Sequence, residues 1–285
     1  MILSSKNAFG AICGALLATT ALSGAASATA IEVTIQNTSG ANGLFLTPFL
    51  NVFHDGSYSA FETGEASSAS LEALAEDGAV GGEATRAGEL GHTTAVATGP
   101  SGFGAQDGQP PVLDPGEATT FVIDLDPTSN RYFSFLSMII PSNDTFIGNG
   151  NPLAYELFDE NGDFTGLDDI AVDLDDVWDA GTEFNSATGI GAAFNVNGGG
   201  PFAPNGEDEG GTVQGIGDVS ELSFLFGQNT PAGVTTSAGA VDFSLLASIS
   251  FSQAPAPVPL PAGLSLMLGG LGLMGGLHMR RKQRS

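Results

Sequence analysis

The chain has 285 residues, enough for one large domain or two small ones, and a hydrophobic content of 42% that can supply a core and argues against global disorder. Its formal net charge is −25, from 7 Lys+Arg against 32 Asp+Glu. Lys6 lies near the start and Arg280, Arg281, Lys282 and Arg284 near the end, so the body keeps Arg86 and Arg131 against every acid, a formal −30 that repels nucleic acid and attracts divalent cations.

In chain order, the first element is a targeting segment. Lys6 is a short positive region, residues 8–22 are apolar, and Ala28-Thr29-Ala30 fits the small-x-small rule for signal peptidase. Cleavage after Ala30 would leave Ile31 first, and Ala26-Ser27-Ala28 is a near-equal alternative. The apolar stretch is too short for a retained membrane helix. Cys13, the one cysteine, lies inside this segment, so a mature chain uses neither disulfides nor thiol chemistry. Residues 1–30 are thus read as a signal peptide, 31–253 as one domain and 254–285 as a sorting tail.

The body reads as β. Residues 31–35 and 120–125 alternate apolar and polar side chains, as half-buried strands do. Residues 132–140 form a nearly continuous apolar run suited to a core strand. Further strands are expected at 170–174, 222–226 and 241–251, with Gly and Pro between them as turns. Only residues 68–76 look helical, with Leu71, Leu74 and Ala75 at helix spacing. The Gly-rich stretches 81–115 and 185–217 read as long loops. An all-β, antiparallel β-sandwich with at most one or two short helices is the economical fold.

Two acidic turns follow expected strand ends. One is Pro141-Ser142-Asn143-Asp144; the other is Asp175-Asp176-Val177-Trp178-Asp179-Ala180-Gly181-Thr182-Glu183. If their strands are parallel or share an end of the sandwich, the loops gather oxygen ligands with no cation to offset them. Calcium prefers six to eight such oxygens. Asp159-Glu160-Asn161-Gly162-Asp163 is a looser acidic turn without the closing Glu of an EF-hand. Legible enzyme signatures are absent: no Gly-x-Ser-x-Gly elbow, no phosphate loop, and no body lysine for a Schiff base. His54-Asp55 is better explained as a surface turn at Asp55-Gly56 than as a general-base pair.

The chain ends with a small-residue and proline linker, an apolar run at 264–279 and a basic cluster. That run is at the short end for a transmembrane helix, with the basic tail cytoplasmic by the positive-inside rule. Val258-Pro259-Leu260-Pro261-Ala262, followed by these two parts, resembles the VPLPA-type PEP-CTERM sorting signals of Gram-negative bacteria. The resemblance implies export, an inner-membrane intermediate, processing by an exosortase-type enzyme, and a final place at the cell surface or outside the cell.

A second resemblance covers most of the body. Ser137-Met138-Ile139-Ile140-Pro141-Ser142-Asn143-Asp144-Thr145-Phe146-Ile147-Gly148 and Trp178-Asp179-Ala180-Gly181-Thr182-Glu183 are similar to two signatures of the spondin N-terminal domain. The stretches 44–54 and 71–78 resemble further segments of bacterial members. The resemblance implies a C2-like sandwich, a bound divalent cation and extracellular adhesion. It assigns Asp144, Asp179 and Glu183 as metal ligands, with Asp173 a weaker candidate inside a strand pattern. Animal members carry cysteines and an aromatic where this chain has Thr145, so fold and metal site should transfer better than any partner. The expected function is an exported, non-enzymatic surface or matrix protein. Calcium supports its contact with exopolysaccharide, a surface protein or another copy. The alternative is a secreted hydrolase of matrix glycan, disfavoured because one Trp and three Tyr furnish few sugar platforms.

Overall fold

The computed structural model describes residues 28–100, 111–187, 206–230 and 232–255. Most of the signal segment, all of the sorting motif at Val258, Pro259, Leu260, Pro261 and Ala262, and the apolar run at 264–279 lie outside them. Among the described residues no helix is long and apolar enough to cross a membrane. The elements in chain order are β1 (Thr29–Asn37), β2 (Phe45–Leu46), β3 (Phe49–His54), α1 (Ala69–Asp77), α2 (Gly81–Glu89), β4 (Thr93–Ala97) and β5 (Ala118–Leu125). There follow β6 (Tyr132–Ile140), β7 (Thr145–Gly148), β8 (Tyr155–Glu156), β9 (Asp169–Val172), β10 (Val177–Asp179), β11 (Gln214–Gly215) and β12 (Ala247–Gln253).

Two antiparallel sheets form. The smaller has the order β5-β1-β12-β9; the larger runs β11-β10-β7-β6-β3-β4, with β2 and β8 also paired to β6. In β1, Ile31, Val33 and Ile35 are buried while Glu32 and Thr34 face outward, the alternation expected of a strand with one wet face. Its inward residues share one core with Ile249 and Phe251 of β12 and with Phe49, Phe53, Phe133 and Phe135 of the larger sheet. The rings of Phe133 and Phe251 meet edge to face at 4.9 Å, an orientation the ring quadrupoles favour.

The continuous apolar run of β6 has a different cause from a two-layer sandwich. Phe133, Phe135 and Ile139 face the small sheet, whereas Leu136 joins Leu50, Val52 and Phe146 beneath the helices. Leu71, Leu74 and Ala75 of α1 and Ala87 of α2 close that second core. The central strands are therefore buried on both faces, and such strands lose their polar alternation. The fold is a β-sandwich with a third, helical layer.

Local chemistry explains which expected elements hold. Helix α1 starts where Ser68 accepts from Leu71 N at 3.2 Å and stops at Gly78, whose φ of 64° is the left-handed cap. The expected loop at 81–115 instead contains α2 and β4. Helix α2 holds Gly81, Gly82 and Gly88, each costing about 1 kcal/mol of intrinsic propensity, and no side chain caps its start. Tertiary contacts compensate. Glu83 is fully buried and accepts from Tyr58 Oη at 2.7 Å and Ser70 Oγ at 2.6 Å, while Arg86 chelates it and also reaches Ser59 O at 2.7 Å.

Three strand expectations are corrected. Residues 222–226 belong to the 3-10 helix Val219–Leu225, because Asp218 and Glu221 form a reciprocal capping box and Leu222 and Leu225 fall three apart on its buried side. The expected strand at 241–251 begins only at Ala247, since Asp242 accepts from Ser244 N at 3.0 Å and bends the chain. Strand β9 ends at Val172, and Asp173 caps the 3-10 helix Leu174–Asp176.

Glu83→Gln should lower the stability of the domain by about 2 kcal/mol, since it removes the buried charge that the half-exposed Arg86 and two hydroxyl donors share. Tyr58→Phe should cost about 1 kcal/mol for its hydrogen bond. Urea midpoints read by tryptophan fluorescence check both, and the larger loss must belong to Glu83.

Candidate functional site

The two acidic turns meet through strand register. Strand β6 ends at the cis Ile140–Pro141 bond, and Ser142 then closes a tight turn, donating to Ile139 O at 2.6 Å and accepting from Thr145 N at 3.2 Å. The chain returns as β7, which pairs antiparallel with β10 so that Thr145 lies opposite Asp179. Asp144 therefore falls beside Ala180, whose N–H donates to Asp144 O at 3.1 Å. Strand β9 lies in the other sheet, so the two turns come together through the pairing of β7 with β10 and not through pairing of residues 132–140 with 170–174.

The Asp144 carboxylate is fully buried. Its Oδ2 accepts from Thr182 N and Glu183 N, both at 3.1 Å, while Oδ1 has no partner among the described residues. Burial pushes its pKa up to about 7, and the Asp179 charge adds to the rise, against the two N–H donors. Asp179 Oδ1 accepts from Gly181 N at 2.7 Å, and Oδ2 accepts from the Asn185 amide. Gly181 sits at φ 66°, and a Cβ there would lie 2.6 Å from both Thr212 N and Thr212 O, so the Asp-Ala-Gly turn tolerates no side chain.

Glu183 is 3% exposed and takes other partners. Its Oε1 accepts from Gly206 N, and Oε2 has no partner among the described residues. Burial raises its pKa, and the charges of Asp77 and Glu72 contribute. The three expected ligands are thus neighbours without forming one cluster. Among the described residues, no three His, Cys, Asp or Glu side chains come close enough to hold a metal by themselves. The donor set of Asp144 and Asp179 still fits a hard cation. It offers carboxylate oxygens, one of them buried and orphaned, with Arg86 and Arg131 engaged elsewhere by Glu83 and Glu156.

The other candidates are occupied locally. Asp173 accepts from Asp175 N at 2.9 Å in its capping box. Asp159 holds Asn161 N at 2.8 Å and Asp163 N at 3.0 Å, which closes its own hairpin. His54 is buried, bonded to Ser134 Oγ at 3.0 Å and accepting from Gly56 N at 3.0 Å, and burial lowers its pKa to about 4. Asp55 accepts from Ser57 N at 3.0 Å, so the pair is a turn, as its sequence indicates. Sequence reasoning missed Glu76, which burial pushes up to about 7, and its neighbour Glu72. Their spacing of four on α1, which puts both on one helix face, was the available signal.

A family model described as Spondin_N matches residues 44–190. The match contains both turns and leaves out β1 and β12, the two central strands of the smaller sheet. No curated protein matches the chain.

The folded-state pKa of Asp144, about 7, lies above the ordinary carboxylate range. Its proton therefore favours folding at low pH, and that contribution is lost as the pH rises through about 7. In chelator, Asp144→Asn should melt above wild type at pH 8 and gain less at pH 5. Melting curves at the two pH values check this, and an equal difference at both would exclude a strained carboxylate.

Proposed function

The chain belongs to the Spondin_N family, an extracellular binding and adhesion type of domain without enzymatic activity, and from that premise we propose a calcium-supported binding module exported to the cell surface or matrix. The observation that carries the metal is the buried Asp144 carboxylate near the Asp179 charge, with one oxygen that has no partner and no cation paired to it among the described residues. Asp144 and Asp179 would hold the ion, and backbone oxygens and water would complete its shell. A bound divalent cation supplies charge neutralisation there. The protein's own contribution is to fix the two turns by the pairing of β7 with β10 and by the N–H groups of Thr182 and Glu183.

The terminal segments act in delivery on this reading. Residues 1–28 direct export, and the tail from residue 254 anchors the chain until an exosortase-type enzyme cuts near Val258–Gly263. The register supports a common attachment point: Ile31 lies opposite Gln253, and Ala254 N donates to Ala30 O at 2.9 Å. It also favours one signal-peptidase site. Cleavage after Ala28 spares all of β1, whereas cleavage after Ala30 removes Thr29 and Ala30, which pair with Leu125 and Asp124.

Calcium should raise the melting temperature of wild type, by about 2.7 kcal/mol of stabilisation at a hundredfold excess over the dissociation constant. Asp179→Asn should lose most of that response and change little in chelator. A wild type that melts alike in calcium and chelator has no stabilising ion. Calorimetric titration near pH 7 should also show proton release, because the ion requires an ionised Asp144.

Intact mass of the surface-bound or released protein should begin at Thr29 and end before the apolar run at 264–279. A dominant species retaining Arg284 would defeat the processing hypothesis.

A further inference from the structure

The two sheets end in four outermost strands, and one of them differs from the rest. Strand β9 is four residues long, β11 two and β4 five, whereas β5 is eight. A long free edge invites pairing with another strand, and proteins blunt such edges with Lys, Pro, a bulge or a cover. Strand β5, Ala118-Thr119-Thr120-Phe121-Val122-Ile123-Asp124-Leu125, has no Lys and no Pro. Its register with β1 runs without a break from Ala118 to Leu125. Strand β4 of the other sheet comes close to β5, yet among the described residues it pairs only with β3.

The phase of the ladder decides which groups are free. In an antiparallel strand the N–H and C=O of one residue point to the same side, and the side alternates along the chain. On β1, Ala30 O accepts from Ala254 N at 2.9 Å and Thr38 N donates to Leu246 O at 3.2 Å, so the even-numbered residues face β12. The odd-numbered ones face β5, as the bond from Asn37 N to Glu117 O at 2.9 Å shows. Register then commits the odd-numbered residues of β5 to β1. The N–H and C=O groups of Ala118, Thr120, Val122 and Asp124 point outward along the plane of the sheet, with no partner among the described residues. The same residues are exposed, Val122 to 57%.

This edge is complementary to itself. When two copies meet antiparallel about a two-fold axis at Phe121, Ala118 lies opposite Asp124 of the second copy and Thr120 opposite its Val122. Each of these residues exchanges both backbone bonds across the seam, and no acid faces an acid. β-Branched Thr120 and Val122 suit such cross-strand contact. Phe121, only partly buried against the core of one copy, gains cover from its counterpart at the axis. Because the same edge serves both copies, the contact closes at two.

We propose that the free edge of β5 is a self-association site that joins two copies of this chain into one continuous antiparallel sheet. This goes beyond the metal-supported reading and needs no ion. The strongly acidic body opposes its own approach, so the dimer should tighten as rising salt screens that repulsion, the reverse of a contact held by opposite charges.

Sedimentation velocity of the secreted protein in chelator, across a range of concentrations at low and high salt, tests the proposal. A monomer–dimer equilibrium that tightens with salt is expected. Val122→Pro removes an N–H that points out of the edge and spares the bonds to β1, so it should stay folded and weaken the dimer about tenfold or more. Ala118→Glu sets a carboxylate opposite Asp124 of the second copy and should also weaken it, whereas Ala118→Lys should tighten it. Within one copy Ala118 lies opposite the neutral Gln36, so neither variant meets a charge there. Leu153→Glu and Leu153→Lys, at an exposed position between β7 and β8, are the charge controls and should change association far less. If Val122→Pro fails to fold, the Ala118 variants decide. A monomer at every concentration in high salt, growth beyond a dimer, a dimer unaffected by Ala118→Glu, or equal effects of charge at Ala118 and Leu153 overturns the proposal. The calcium melting response is read separately, so either reading can fail while the other stands.

Discussion

Two arginines must serve 32 acids in the body of this protein, and that scarcity of cations shapes how each carboxylate is used. Arg86 is committed to Glu83 under the helical layer, and Arg131 to Glu156 at the edge of β8. Many of the remaining acids become turn formers. Asp55, Asp126, Asp218 and Asp242 each accept from a Ser or Thr two residues on, and Asp159 from the backbone of its own hairpin, which holds all five below the usual carboxylate range. These groups favour the fold when ionised. Asp144, Asp176, Glu76 and Glu183 are the opposite population: burial drives each upward, and among the described residues no Arg pairs with them. Three of those four surround the turn from Asp179 to Glu183. The strain is concentrated where an external cation could remove it.

The scaffold that concentrates them is β6. Because this strand is covered on one face by the small sheet and on the other by α1, its position is fixed from both sides. Its C-terminal end therefore delivers Ser142–Asp144 to one place, and the short β7–β10 pairing brings the second turn to it. Helix α1 lies over the same strand and presents Glu72 and Glu76 toward that turn. A single layer of helix thus serves two ends: Leu71 and Leu74 fill the core, and the acidic face lines the space beside that turn.

Glycine makes the close approaches possible. Gly181 lets Thr212 pass against the turn, and Gly206 lets the returning chain cover Glu183. Trp178, next to Asp179 in sequence, is bonded to Gly148 O by its indole N–H at 2.7 Å and packs on Phe61 at 4.8 Å. These contacts tie β10 to β7 across the seam.

Short-range periodicity made β1, β5 and β6 readable in the sequence, since one or two buried faces leave an apolar pattern every second residue or a continuous run. Ser68 and Gly78 similarly mark the ends of α1 through caps that need only neighbouring residues. The signature stretches around Asp144 and Asp179 mark those two acids in the sequence. Residues 222–226 have strand composition, yet Asp218 and Glu221, just upstream, cap them into a helix. Helix α2 contradicts its own propensity and exists because Tyr58, Ser70 and Arg86 converge on Glu83 from distant positions. The separation of Glu183 from the Asp144–Asp179 pair, and its grouping with Glu72, Glu76 and Asp208, depends on strand register and on a helix packed across a sheet. Those are non-local contacts, and only the tertiary structure decides them.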